Sequence, residues 1–554
     1  MANEKIEVET SEAIHHAPDN VASAHKIAIS QAQAATDKEH RMTLLEGIRT
    51  YPKAIAWSMI ISLCIVMEAF DVCLLPNFYA LPQFQHTFGT LHPDGKTQIS
   101  AKWQAGLSNG QSCGQIIGLV INGFVTERFG YRWTVIVCMA LVAAWTSLYF
   151  TATSLTQLLV GYILSGIPFG IFQTLVISYA SEVCPIALRG YLTTWVNACW
   201  GIGQLLGVGS VKGASHWNDH RAFRVPYSLQ WIWPLPLSIA VFLAPESPWW
   251  LVRKGRIEDA KKSLRRLTSL KRDTNFDPDE TVAMIAHTTA LEQQITAGAT
   301  YADCFRGTNL RRTEIVAMTW AIQNLCGNSF AGYAAYFLEQ AGLSSSKALD
   351  FVLGKSAINV VGVFGAWFLI SLGFGRRSLY LYGLCGLFCI LMILGFLGLA
   401  PDRSAAALTT GVIMLLWACC YQLTVGTVCY SLVGELSTRR LQIKTVALGR
   451  AMYIVVAIVC NVLTPYMLNP TEWNWGNFAG FFWAGAAFFS VIYAYFRIPE
   501  PAGRTYAELD ILFERKISAR KFRQTEVDAF EETVEGGAIE DYQQNIAVER
   551  GEKI

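Results

Sequence analysis

Ile55–Phe78 reads IAWSMIISLCIVMEAFDVCLLPNF. A helix rising about 1.5 Å per residue over this stretch crosses a ~30 Å hydrocarbon core. Its only charges, Glu68 and Asp71, sit well inside it. Similar apolar runs lie near 103–125, 133–153, 157–178, 191–212 and 228–244. After a polar stretch over 246–312, six more lie near 314–338, 350–372, 379–400, 408–431, 447–468 and 477–497. The pattern predicts an all-α membrane protein with twelve transmembrane helices.

Composition agrees. The 554 residues are 52% hydrophobic and 16% charged, against about 25% charged in soluble domains. A chain of this length folded as several soluble domains needs more charge to solvate them. The net charge of +2 supplies no bulk attraction to nucleic acid, so no nucleic-acid partner is expected. The 14 Cys are scattered, with neither metal-ligand spacing nor a secreted disulfide framework, and read as small apolar fillers. No metal or cofactor is expected. The 9 His form no catalytic set, no phosphate loop of the Walker type occurs, and the chain reads as a transporter rather than an enzyme.

Basic residues orient the spans. Arg128 and Arg132 follow the second, Arg189 the fourth, Arg376 and Arg377 the eighth, and Arg439, Arg440 and Lys444 the tenth. The opposite loops are poorer in Lys and Arg. Five segments follow: a cytoplasmic N-terminal tail (1–53), a six-helix bundle (54–245), a cytoplasmic loop with amphipathic helices (246–312), a second six-helix bundle (313–498) and a cytoplasmic C-terminal tail (499–554). Within the loop, Ile257–Leu270 has amphipathic helical spacing.

The halves echo one another. GFVTERFGYR (123–132) after span 2 is matched by GFGRR (373–377) after span 8, and EVCPIALR (182–189) after span 4 by ELSTR (435–439) after span 10. Two parallel, pseudo-symmetric six-span halves are the internal repeat of the major facilitator fold. Together with SEVCPIALRG (181–190), PESPWWL (245–251), GELSTRR (434–440) and PEPAGRT (499–505), these motifs resemble the sugar porter family of the major facilitator superfamily. MEAFD (67–71), GIPFGIFQT (166–174), NVLTPYMLNP (461–470) and the segment 499–522 resemble its fungal alpha-glucoside:proton symporters, the maltose-permease group. The resemblance implies import of a maltose-like sugar with protons by alternating access, in a monomer whose partners are sugar, protons and the lipid bilayer of a plasma membrane. Another polyol-like or glycosylated solute, such as a secondary metabolite, is the alternative cargo, and a non-transporting sugar sensor the alternative role.

Charge inside the membrane carries the coupling expectation. A buried ion costs several kcal/mol unless paired or protonated. Glu68 and Asp71 are three residues apart on one helix face, and Arg450 near the start of span 11 is their expected counter-charge. Two carboxylates against one guanidinium leave an excess negative charge. Burial and a like-charged neighbour both favour taking up a proton, and the two acids should titrate as one unit. The resemblance implies this same acid pair and arginine. It also implies an acid in span 4 just after Gly161, where this chain has Tyr162.

A neutral sugar calls for amides, which both donate and accept, and for aromatic faces. The candidates are Asn197 and Gln204 in span 5, Gln323, Asn324 and Asn328 in span 7, Asn359 in span 8, and the aromatics Tyr333, Tyr336 and Tyr430. Of these, Asn197, Gln323, Asn324 and Asn359 match the sugar-contacting positions of sugar porters. A cytoplasmic gate is expected from Gly123, Glu127, Arg128, Arg132, Glu182, Arg189 and Glu246 in the first half. In the second half it takes Arg376, Arg377, Glu435, Arg439 and Arg440.

Overall fold

The computed structural model describes residues 44–91, 97–269, 277–296, 300–400, 403–437, 441–501, 504 and 506–525. Arg439 and Arg440 lie outside the described residues, as does the side chain of Arg189. The chain divides into two units, one of residues 1–98 and 106–297, the other of 99–105 and 298–554.

In the first unit, Pro52 opens α1 (Pro52–Phe78), where a missing N–H is harmless. Then come α2 (Ala101–Phe150), α3 (Leu155–Val183) and α4 (Ile186–Ala214). The Ser154 hydroxyl accepts from the Gln157 N–H and caps α3. The runs near 103–125 and 133–153 are two helical arms of α2 that meet at a kink at Gly130, whose φ of +85° suits glycine. Small residues set the close approaches. A Cβ on Gly114 or Gly118 would overlap the carbonyls of Ile163 or Ile167 in α3, and Gly203 and Gly207 of α4 lie against Val66–Cys73 of α1. Such faces let helices pack closely within a bilayer.

The run near 228–244 is split into α5 (Arg221–Leu229), a 3₁₀ turn at Gln230–Ile232 and α6 (Pro234–Leu243). Pro226 and Pro234 each remove a backbone donor there. Beyond it lie α7 (Pro248–Arg253), α8 (Ile257–Leu267) and α9 (Pro278–Thr296). Helix α8 buries Ala260, Ser263, Leu264 and Leu267 on one face, the amphipathic character read from its sequence. Lys261 ties it to Asp279 of α9 at 2.6 Å.

The second unit holds α10 (Gly307–Gln323), α11 (Ser345–Ser371), α12 (Arg376–Phe396), α13 (Arg403–Tyr421), α14 (Thr427–Leu436), α15 (Gln442–Leu468), α16 (Ala479–Arg497) and α17 (Tyr506–Glu514). Two π-helical turns interrupt its spans, Asn324–Asn328 after α10 and Gln422–Gly426 between α13 and α14. Part of the stretch expected as a tail is folded. Leu509, Leu512 and Phe513 of α17 are buried, and the Arg312 guanidinium lies 4.3 Å over the Phe513 ring while pairing with Asp510.

Among the described residues, eight helices are long and apolar enough to cross a membrane. One of them, α2, contains two of the expected stretches. Helix α4 falls short because Thr, Asn, Gln and Gly dilute its apolar residues, and the runs near 228–244 and 314–338 because they are interrupted. The outward faces of the spans carry Val120, Phe124, Val361, Phe368 and Leu416, all exposed, a surface suited to lipid rather than water. One small departure from an all-α chain is a pair of two-residue antiparallel strands, Thr90–Leu91 with Thr97–Gln98.

Candidate functional site

Glu68 and Asp71 lie one turn apart on α1, both with no solvent exposure. A carboxylate at such a position must be satisfied locally, and here neutral amides do so. Glu68 Oε1 accepts from Gln173 Nε2 of α3 at 2.6 Å and from Gln115 Nε2 of α2 at 3.3 Å. Asp71 Oδ2 accepts from Gln111 Nε2 of α2 at 3.2 Å. Asp71 Oδ1 has no hydrogen-bond partner among the described residues. Sequence reasoning missed all three glutamines. Gln111 and Gln115 are four residues apart and so share a helix face, but Asn109, Ser112 and other polar residues of the same run mask that spacing.

Tyr162, in the place where the resemblance implies an acid, is fully buried. Its hydroxyl lies 2.6 Å from that of Tyr227 on α5. Tyr149 of α2 packs on both rings, with centroids 4.7 and 5.2 Å away, and its own hydroxyl meets Ser165. On α4, Asn197 and Gln204 are half-buried, and the Gln204 carbonyl faces the Cys73 thiol of α1 at 3.7 Å.

In the second unit the amides cluster at the π-helical turns. Gln323 Nε2 donates to the Gly426 carbonyl at 3.1 Å, and Asn324 Nδ2 to the Tyr453 carbonyl at 3.1 Å. Trp417 Nε1 donates to the Cys326 carbonyl at 3.2 Å, so the two interrupted helices are tied at two points. A π turn leaves backbone carbonyls short of regular partners, which is why side chains fill in. Asn328 and Asn359 are half-buried, Tyr333 and Tyr336 buried. Arg450, expected as counter-charge to the acids, stacks within its own unit over Trp320 (5.0 Å) and Tyr453 (4.5 Å), a favourable cation–π geometry. Tyr430 meets the same Trp320 edge-on at 4.9 Å. Lys355 in α11, a cation the sequence reading passed over, donates to the Ala331 carbonyl at 2.6 Å.

The motif residues expected at the gate form a bonded set in each unit. Glu127 pairs with Arg253 (3.5 Å) and Lys254 (3.2 Å), and Glu182 with Arg253 (3.0 Å) and the Ser247 hydroxyl. Arg253 and Lys254 were absent from the expected set. Glu246 accepts the backbone N–H groups of Tyr131 (3.0 Å) and Arg132 (3.2 Å) beside Gly130. Burial raises the Glu246 carboxyl above its ordinary range, and those N–H bonds pull it part of the way back. Arg128 lies over Phe129 at 5.8 Å, and Gly123 has open space where a Cβ would stand. In the second unit Arg376 Nε donates to Glu435 at 3.3 Å. Glu500, also outside the expected set, accepts the N–H groups of Arg376 (2.9 Å) and Arg377 (3.1 Å).

Buried carboxylates in an apolar span, amides at broken helices and ion pairs at the repeated motifs define a multi-pass membrane carrier of the major facilitator fold. The chain belongs to the family described as "Sugar (and other) transporter", which it matches over residues 57–513. It is 39% identical over 507 residues to a general alpha-glucoside permease of Saccharomyces cerevisiae, covering 91% of this chain and 82% of that one. It is 40% identical over 511 residues to the maltose permease MAL61 of the same species, with the same coverage. Among solved structures it resembles the proton:xylose symporter XylE bound to 6-bromo-6-deoxy-D-glucose, at TM-score 0.65 and 20% identity, covering 84% of this chain and 100% of that one. An inward-open form of the xylose transporter XylE from E. coli aligns at TM-score 0.66 and 20% identity, covering 83% and 99%.

Proposed function

We propose that this protein imports an alpha-glucoside, maltose or a close relative, together with protons across a plasma membrane. It works as a monomer by alternating access, with both termini and the central loop in the cytoplasm. The observation that carries the coupling is the fully buried Glu68–Asp71 pair. Two ionised carboxylates one turn apart and fully buried in an apolar span are costly. Taking up one proton relieves that cost, and losing it on the other side of the membrane couples proton flow to the change of access. The similarity to alpha-glucoside and maltose permeases supports the substrate class. The amides Asn197, Gln204, Gln323, Asn324, Asn328 and Asn359, with Tyr333, Tyr336 and Tyr430, are the proposed sugar contacts. The bonded cytoplasmic sets are the proposed gate, closed while the sugar cavity faces outward.

The test is uptake of labelled maltose by transporter-deficient yeast expressing the chain, with external pH recorded in a weakly buffered suspension. Uptake with alkalinisation is expected. Uptake without a pH change would make the protein a uniporter, and surface protein without uptake of any alpha-glucoside would overturn the substrate assignment.

A further inference from the structure

Beside Asp71, the first unit holds a set of groups that the coupling reading leaves unused. Tyr149, Tyr162 and Tyr227 come from α2, α3 and α5, and each is at most 1% exposed. Tyr149 stacks on Tyr227 with an interplanar angle of 24° and tilts against Tyr162. Position relates this stack to the acid. Gln111, which donates to Asp71, lies where its carbonyl would overlap a Cβ on Gly166, one turn beyond Tyr162. Tyr227 packs edge-on against Phe78, two turns beyond Asp71 on α1, at 4.9 Å. All three phenols are within electrostatic reach of Asp71.

Proton counting sharpens the picture. Each phenol carries one O–H. One is used in the 2.6 Å contact between Tyr162 and Tyr227, which leaves the other available. Asp71 Oδ1 has no donor among the described residues. A buried acceptor without a donor is destabilising until one turns to it. Among the described residues, the groups around Asp71 include Glu68 and the Cys73 thiol on its own helix, the Gln111 amide and Tyr149 from α2, and Tyr162 from α3. Helix α4 presents Gly203 and Gly207 there, and α5 adds Tyr227 with Arg224 one turn before it.

We propose that the Tyr162–Tyr227 hydroxyl pair is a reversible hydrogen-bond partner for Asp71. The spare O–H donates to Oδ1 when the carboxylate is ionised, and a phenol oxygen accepts from the carboxyl O–H when it is protonated. Both phenols stay neutral throughout. The exchanged proton enters from water on one side of the membrane and leaves to water on the other, so no further reactant is needed. The pair thereby does the opposite of what a second acid at position 162 would do. A neighbouring carboxylate opposes the ionised form of Asp71, whereas a hydroxyl donor stabilises it. Tyr162 and Tyr227 are thus positioning residues that set the pH at which the carrier loads its proton. This rests on the proton-coupling reading above.

The test measures maltose uptake against external pH for the natural protein, Tyr162→Phe, Tyr227→Phe and the double variant, with surface protein quantified. Phenylalanine keeps the ring stacking and removes the O–H. In the double variant the midpoint of uptake should move to higher pH by about one unit, with most of that shift appearing in whichever single variant lacks the donating O–H. A lower rate at every pH with an unmoved midpoint would overturn the proposal and leave the pair as packing. If the double variant fails to reach the surface, the singles decide, and no shift in either overturns it. Glu68→Gln combined with Asp71→Asn separates the two readings. If that variant still accumulates maltose against a gradient, the coupling reading fails. If it does not, and the tyrosine variants leave the midpoint in place, only the hydroxyl pair's role fails.

Discussion

The two units solve one structural problem in the same way and leave their interiors different. In the first, Glu246 accepts two successive N–H groups, those of Tyr131 and Arg132, while Arg132 donates to the Ala244 carbonyl. In the second, Glu500 accepts those of Arg376 and Arg377, while Arg377 donates to the Tyr495 carbonyl. The side chains differ at the first of these positions. Arg376 reaches Glu435 directly, whereas Tyr131 stands where that arginine would be, and Glu182 takes Arg253 instead. Inside the membrane the likeness ends. The first unit centres on two carboxylates among amides and phenols, the second on neutral amides at π turns and a cation stacked on aromatic rings. What repeats is the backbone geometry both halves need. What does not repeat is the chemistry, and the proposed proton handling draws on the carboxylates of the first half.

The largest effect expected is on that chemistry. Glu68→Gln combined with Asp71→Asn should abolish accumulation of sugar against a gradient while leaving measurable exchange of labelled for unlabelled sugar. Next comes the repeated scaffold. Glu246→Ala and Glu500→Ala each strand two backbone donors, and an unmet buried donor costs about 1–3 kcal/mol. Both variants should lower surface protein sharply and to a similar degree. A large loss from one and none from the other would break the equivalence of the two ends. Gln323→Ala removes an interhelical bond of about 1 kcal/mol and a proposed sugar contact, so a several-fold rise in KM with little change in surface protein is expected. Smallest is Glu127→Gln. Its pairs with Arg253 and Lys254 are partly exposed, a setting where such pairs contribute about 0–1 kcal/mol. Uptake should change little, and less still at high salt.

The fold was largely legible because a bilayer demands long apolar runs, and hydropathy reads these directly. The interruptions were harder, since the π turns at Asn324–Asn328 and Gln422–Gly426 have no periodic signature. Glu68 and Asp71 stood out because charge in an apolar run is rare. Gln111, Gln115 and Gln173 did not, since a neutral amide within a span carries little cost and so little signal. Tyr149, Tyr162 and Tyr227 look like any aromatic packing until three helices bring them into one stack. Glu500 lay within a recognised motif, and its parallel with Glu246, both just after a proline at the end of a six-span half, was the clue to its role. Arg450 was read from its charge alone; Tyr453, three residues on in the same helix, was within reach of local spacing, whereas Trp320 comes from α10 and was not.

The most direct test of proton handling by the first half uses purified protein in liposomes, with equal maltose inside and outside and an imposed proton gradient. Labelled maltose should accumulate on the side to which protons flow, and the Glu68→Gln/Asp71→Asn variant should exchange it without accumulation. Accumulation by that variant, or none by the natural protein while exchange proceeds, would contradict the account.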